Sequence, residues 1–325
     1  MSFKEIIGQE SAILFLKTAY RQNRLAHAYL FVGTDGIGKK KVALNFAKLL
    51  LCEHPEKEEP CESCPSCRKV ETSAHPDIQE VVPEGQFIKI DAVREACRRL
   101  NLRGFESFKK VLIIRGAQHL NEESSNALLK TLEEPTPHTV IILLADTVKS
   151  ILPTIASRCQ KIAFSLLNEQ TIRLILHKDF GTDDAAAAYF ARLAEGSLGC
   201  ALKYQEEDLF TRKNTLIGEV LDRQFPLNRL LNDAAAVRSE RQEKISEVLT
   251  ILSSWFRDLY MAKVVSDPEN FINADRQADI MRQAELLSLS EIEERIQAIA
   301  DALNDLGHNI NMRILLSKLR VELWK

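Results

Sequence analysis

The sequence has no uninterrupted apolar stretch approaching a membrane span, and its opening residues, MSFKEIIGQE, contain no apolar signal segment. Both absences predict a cytosolic chain with no membrane partner. There is no excess of positive charge either: 43 Lys and Arg stand against 46 Asp and Glu, a net charge of −3. That balance excludes nucleic-acid binding through bulk basicity and leaves only local basic clusters for such a role. Low-complexity segments and internal repeats are also missing. Disulfides are not expected from the seven cysteines, because a cytosolic compartment keeps thiols reduced. What remains is an ordinary globular composition, 45% hydrophobic and 27% charged. A chain of 325 residues is too long for one small core, so two or three domains are expected.

Strand and helix signals alternate in the first half. Ala28–Val32, Val111–Ile114 and Val140–Leu144 read as buried strands. Lys41–Leu51, Asp91–Asn101 and Ser124–Leu132 have helical spacing. Such alternation predicts a parallel sheet covered on both faces. Beyond about residue 165 the strand signal fades. Thr171–Leu176, Ala185–Leu193 and Leu198–Lys203 suggest a small helical unit, punctuated by Gly181 and Gly196. After Phe225-Pro226 long amphipathic helices follow. Ile245, Leu249, Leu252 and Phe256 form one stripe; Ile292, Ile296, Ile299, Leu303 and Leu306 form another, with Ser290 and Glu293 as a capping box before it.

The most informative absences lie in the stretch GTDGIGKKK, Gly33–Lys41, directly after the first strand. Gly33, Gly36, Gly38 and Lys39 satisfy most of the pattern G-x-x-x-x-G-K-[ST], in which backbone N–H groups cradle phosphates at a helix N-terminus. The hydroxyl that should ligate Mg²⁺ is missing, and Lys40 stands in its place. Acidic residues should also follow a later strand, to hold the metal's water shell and position the attacking water. After Val111–Ile114 the chain offers Arg115 and Gly116 instead. Two independent losses predict a phosphate loop of intact shape without ATP hydrolysis. Whether it binds any nucleotide stays open at this point.

Cys52, Cys61, Cys64 and Cys67 are spaced closely enough for four thiolates to surround one Zn²⁺, with His54 and His75 as alternative ligands. An iron–sulfur cluster uses the same ligand type, but Pro60 and Pro65 in so compact an insertion suit a zinc knob better. The acidic neighbours Glu53, Glu56, Glu58 and Glu59 argue against a nucleic-acid-binding ribbon and for a structural role. Cys97, Cys159 and Cys200 read as small hydrophobes.

Asn126–Pro135 (NALLKTLEEP), Ile141–Ala145 and Ser157-Arg158-Cys159 together resemble the AAA+ clamp-loader family of bacterial DNA polymerase III. The stretches IIGQE, RLAHAYLFVG (Arg24–Gly33) and NINMRILLSKLRVEL (Asn309–Leu323) extend the likeness over nearly the whole chain. Within that family the delta-prime branch is closer than the ATP-hydrolysing tau/gamma branch. The damaged loop, the missing acids, the length, and Gly199 where tau/gamma places an arginine all favour it.

The resemblance implies a fold: an α/β AAA+ P-loop domain (1–165) with a zinc module at about 52–67, a helical lid domain (166–215) and an all-α collar domain (216–325). It implies that Arg158 is an arginine finger completing a neighbouring subunit's ATP site. It implies tau/gamma and delta subunits as partners, with the sliding clamp and primed DNA reached through the complex. Arg94, Arg98, Arg99 and Arg103, on or just after the Asp91–Asn101 helix, would face DNA phosphates. A tau/gamma-like ATPase is the alternative, and a stand-alone zinc nucleic-acid-binding protein a more distant one. Glu133 and Glu134 suit a helix-end contact better than paired acid–base chemistry, because Pro135 ends the element at once.

Overall fold

A computed structural model describes residues 2–102, 104–222, 238–265, 268–306 and 311–323. Arg103 and the Phe225-Pro226 boundary lie outside the described residues. The backbone divides into two compact units, one of Met1–Leu167 with Ser197–Cys200, the other of Asn168–Gly196 with Ala201–Lys325.

The first unit is a parallel five-stranded sheet with helices on both faces. Its strands are β1 (Ala28–Val32), β2 (Ile78–Val81), β3 (Lys110–Ile114), β4 (Thr139–Ala145) and β5 (Gln160–Ala163), in the order β2-β3-β4-β1-β5. Every pairing is parallel, as the strand–helix alternation predicts. The apolar strand runs divide with a period of two between the faces. Tyr29, Phe31, Val111, Ile113, Val140, Ile142 and Leu144 enter one core with α1 (Glu10–Arg21) and α2 (Lys39–Leu51). Ala28, Leu30, Leu112, Ile114, Ile141, Leu143 and Ala145 enter the other, with α4 (Ile90–Asn101), α5 (Glu122–Glu133) and the one-turn α6 (Pro153–Ala156). The short α3 (Pro65–Glu71) starts at the third cysteine of the cluster, Cys64, which caps it, carries the fourth, Cys67, and precedes β2 in sequence.

The second unit is helical throughout its described residues. It contains α7 (Glu169–Phe180), α8 (Asp184–Leu193), α9 (Leu198–Glu206, whose first residues belong to the first unit), α10 (Leu209–Leu221), α11 (Arg238–Val264), α12 (Gln277–Leu286), α13 (Leu289–Leu306) and α14 (Met312–Leu323). Gly181 ends α7 in the left-handed conformation that favours glycine. Ile245, Leu249, Leu252 and Phe256 are buried as one stripe of α11. The capping box of α13 lies two residues earlier than the sequence suggested. Ser288, not Ser290, accepts the Glu291 N–H at 3.2 Å, and Glu291, not Glu293, accepts from Ser288 at 2.7 Å. The run S-L-S-E-I-E-E contains both patterns; Ile292 and Ile299 of the helix are buried. No described helix is long and apolar enough to cross a membrane.

Candidate functional site

The glycine loop joins β1 to α2 and bends as a phosphate cradle does. Gly36 and Gly38 have φ of 70° and 106°, left-handed values that a side chain would strain. Gly38 caps α2 without a side-chain hydrogen bond, leaving the first-turn amides of the helix without an internal partner. Lys39 points back into the loop and is buried. Its ammonium donates to the Gly33 carbonyl, to the Thr34 carbonyl at 3.0 Å and to the Asp146 carboxylate at 3.3 Å. Gln118 donates to the other Asp146 oxygen at 2.7 Å. The Lys39 charge is thus balanced by the half-exposed Asp146 carboxylate.

Residues Ser197–Cys200 close over the outer part of the loop. Ser197 Oγ donates to the Asp35 carbonyl at 2.7 Å, and the Gly199 N–H donates to the Gly36 carbonyl at 2.9 Å. A Cβ at Gly199 would come within 2.6 Å of that carbonyl oxygen, so the approach depends on glycine at this position. Any side chain at this position would require the two segments to move apart.

The two residues that break the ATPase pattern converge on one acid. Glu80 of β2 lies 3.6 Å from Lys40 Nζ and 3.2 Å from the Arg115 guanidinium. One carboxylate therefore sits between the two cations that depart from the ATPase sequence pattern, and the cluster's net positive charge disfavours a divalent cation beside it.

Arg158 follows α6 on an exposed turn. Its guanidinium donates to the Thr154 carbonyl at 2.9 Å and to the Glu133 carboxylate, at the end of α5, at 2.8 Å. Its neighbour Cys159 is buried, and burial pushes that thiol up to about 11, which suits packing and not nucleophilic attack.

The four cysteines Cys52, Cys61, Cys64 and Cys67 are brought together, with all four sulfurs within 4.8 Å of one another. A tetrahedral zinc–thiolate site has sulfur–sulfur edges of about 3.8 Å, from Zn–S bonds of roughly 2.3 Å, so modest closure around an ion suffices. The turns are already those of a thiolate site. The Cys61, Cys64 and Cys67 amides point at Cys52, Cys61 and Cys64 sulfurs at 3.3, 3.4 and 3.4 Å. Backbone N–H groups of Cys64 and Ser63 lower the Cys61 thiol to about 6, whereas burial raises Cys52 and Cys67. The cluster could hold a metal ion.

His75, an alternative ligand by sequence, is engaged elsewhere: its ring meets Ser66 Oγ at 2.9 Å and accepts the Asp77 N–H at 3.2 Å.

On α4, Arg98 and Arg99 both pair with Glu95, at 2.8 and 2.7 Å. Lys110, which follows them in sequence, is buried and donates to the Leu100 and Leu102 carbonyls. Glu80, Asp146, Gln118 and Glu95 were not singled out from the sequence. Asp146 stands at the carboxyl end of a strand beside the loop, a position that could have flagged it. Glu95 was legible as the i, i+3 and i, i+4 partner of two arginines.

Residues 8–168 match the family described as DNA polymerase III, delta subunit. Among curated relatives, the delta-prime subunit of Bacillus subtilis DNA polymerase III is 37% identical over 53% of this chain and 52% of its own length. The tau/gamma subunit of Haemophilus influenzae is 35% identical over 63% of this chain and 30% of its own length. The chain therefore spans about half or less of these relatives. A gamma-subunit-related protein of Thermotoga maritima, known from a crystal structure, shares the fold: TM-score 0.55 at 19% identity, covering 95% of this chain and 98% of that one.

Proposed function

We propose that this chain, whose residues 8–168 match the DNA polymerase III delta family and which is similar to a delta-prime subunit over about half its length, is a clamp-loader subunit that hydrolyses no ATP itself. The observation that carries this reading is the Lys40–Glu80–Arg115 cluster. There two cations share one carboxylate, and they are the residues that replace the hydroxyl and the acid of the ATPase sequence pattern. The inward-bonded Lys39 and the Gly36–Gly199 contact support it. Tau/gamma relatives of similar identity keep a hydrolysing subunit as the second reading; that reading needs a metal site which this cluster opposes.

Arg158 is the proposed functional group. On its exposed turn it would reach the γ-phosphate held by a neighbouring tau/gamma subunit and stabilise the charge that spreads over the transferred phosphoryl group. Such in-trans fingers contribute roughly 10³–10⁵ in rate. Glu133 holds the guanidinium while no phosphate competes for it, through an exposed ion pair weak enough to exchange.

The cysteine site is proposed to carry a structural zinc. Residues 166–215 and 216–325 are proposed to act as lid and collar in a cytoplasmic complex with tau/gamma and delta, which places the sliding clamp on primed DNA. Arg94, Arg98, Arg99 and Arg103 would contact phosphates there; for Arg98 and Arg99 this requires exchanging Glu95 for phosphate.

The test is clamp- and DNA-stimulated ATP hydrolysis by a complex rebuilt from tau/gamma, delta and this chain, with wild type beside Arg158→Ala and the isolated chain alone. An inactive isolated chain, and a lower rate in the Arg158→Ala complex with assembly intact, are expected. Hydrolysis by the isolated chain would overturn the non-hydrolysing reading. An unchanged rate with Arg158→Ala would remove the finger.

A further inference from the structure

Between the cysteine cluster and a surface loop runs a continuous set of buried hydrogen bonds that none of the roles above requires. Leu51, adjacent to the first cysteine, presents its carbonyl to the Ser66 hydroxyl at 2.8 Å. Ser66 lies on α3 between Cys64 and Cys67 and is buried. Its oxygen meets His75 Nε2 at 2.9 Å, and His75 Nδ1 accepts the Asp77 N–H at 3.2 Å. These partners fix the proton positions. Nδ1 accepts a backbone donor and so is bare; the neutral ring carries its hydrogen on Nε2 and donates to Ser66, whose own hydrogen goes to Leu51.

Asp77, itself buried, then directs both carboxylate oxygens at three successive amides, Phe105, Glu106 and Ser107, at 2.7, 2.9 and 2.8 Å. A second tie joins the same two segments at the surface, Lys69 of α3 to Glu106 at 2.6 Å. The loop so held displays two phenylalanines, Phe105 and Phe108, each 77% exposed. Phe108 also packs on the His138 ring, centroids 3.8 Å apart, so the loop carries one contact of its own beside the Asp77 anchor.

We propose that metal bound by Cys52, Cys61, Cys64 and Cys67 sets the conformation of the 104–108 loop through Ser66, His75 and Asp77. The inference rests on the cysteine cluster being a metal site, and its physical basis is short. Between Cys52 and Cys67 the only buried residues are Pro60, Cys64, Ser66 and Cys67, and none of them belongs to the sheet cores. Without an ion, four converging thiols have no common partner, and the first turn of α3 loses the geometry that places Ser66. His75 would then keep a buried Nε2 donor with no acceptor, a state that native interiors avoid. The ring moves or admits water, the Asp77 amide loses its partner, and the carboxylate no longer faces the loop squarely. His75 acts as a positioning residue throughout, and no proton transfer is involved.

Hydrogen exchange of the full chain, read at the Phe105, Glu106 and Ser107 amides, tests this directly. With zinc bound these amides should be protected. After removal of zinc by a chelator they should exchange roughly tenfold faster or more, while the amides of β3 and β4 stay protected. His75→Ala and Ser66→Ala should release the same three amides with zinc content unchanged. If instead either variant lowers zinc content, Asp77→Asn must weaken zinc affinity as well, because coupling between two sites is reciprocal.

Equal exchange with and without zinc would overturn the proposal. So would wild-type protection in His75→Ala that retains zinc, or an Asp77→Asn chain of unaltered zinc affinity beside relay variants that lose zinc. A chain that takes up no zinc at all removes the metal reading along with it, and metal analysis alone reveals that case.

Discussion

Lys213 is fully buried on α10, and replacing it should cost the second unit more stability than almost any other single change. Its ammonium lies 2.7 Å from both Asp275 oxygens, with the Tyr189 ring centroid at 4.6 Å and that of Phe210 at 4.2 Å. Burial lowers the amine's pKa, and the Asp275 carboxylate opposes that shift. Removing one partner of a buried pair costs about 3–5 kcal/mol. The Asp275 side chain is 21% exposed, so water can reach the orphaned carboxylate and the lower end of that range applies. Lost attraction to the two rings adds about 1–2 kcal/mol. Lys213→Ala, which also empties the space of the aliphatic stem, should cost about 4–5 kcal/mol.

Lys213→Met fills that space and keeps contact with the rings, so about 2–3 kcal/mol is expected. Urea unfolding followed through Trp255, which is buried in α11 of the same unit, measures the difference. With a denaturant slope of about 2 kcal/mol/M, Lys213→Met should lower the midpoint by about 1–1.5 M. Lys213→Met combined with Asp275→Leu should recover most of the loss, since an apolar pair replaces the ionic one without leaving a charge behind. A midpoint for Lys213→Met within 0.3 M of wild type, a margin of roughly 0.6 kcal/mol at that slope, would refute the reasoning.

Gly199→Ala should destabilise the first unit by about 1–3 kcal/mol, because the new Cβ meets Gly36 backbone atoms at 2.6 and 2.7 Å; an unchanged urea midpoint would show that the two segments part freely. The Glu71 carboxylate is lowered to about 2, chiefly by the hydrogen bond from Lys48 of α2. A folded pKa below the ordinary carboxylate value of about 4.3 favours the charged form, so this contribution is present above about pH 5 and disappears as pH falls towards 2. The pair is 38% exposed on the Glu71 side, and screening limits it to about 0.5–1 kcal/mol. The stability difference between wild type and Glu71→Gln should therefore shrink steadily from pH 6 to pH 2.5; a difference independent of pH would exclude the ion pair as its source.

Much of this molecule was written locally. The strands at Ala28–Val32 and Val111–Ile114 and the helix over Asp91–Asn101 follow from short-range pattern, because burial on both sheet faces demands continuous apolar runs and an amphipathic helix demands its stripe. The cysteine spacing likewise announced a convergent cluster, since three short loops leave the sulfurs little freedom. The absent hydroxyl at Lys40 and the absent acid at Arg115 were also visible in the sequence.

What replaced them was not visible. Glu80 answers both from a strand lying between them in sequence, and only the sheet order puts β2 within reach of α2 and β3 together. Lys39 and Asp146 meet across 107 residues, and Gly36 meets Gly199 across a still longer span. The capping box of α13 forms at Ser288 and Glu291, two residues before the Ser290–Glu293 pair that the sequence pattern suggested. Spacing along a chain fixes neighbours within a turn or two of backbone. Which distant charge faces a given lysine, and which buried donor finds its acceptor, is decided only when the sheet and the cores close around them.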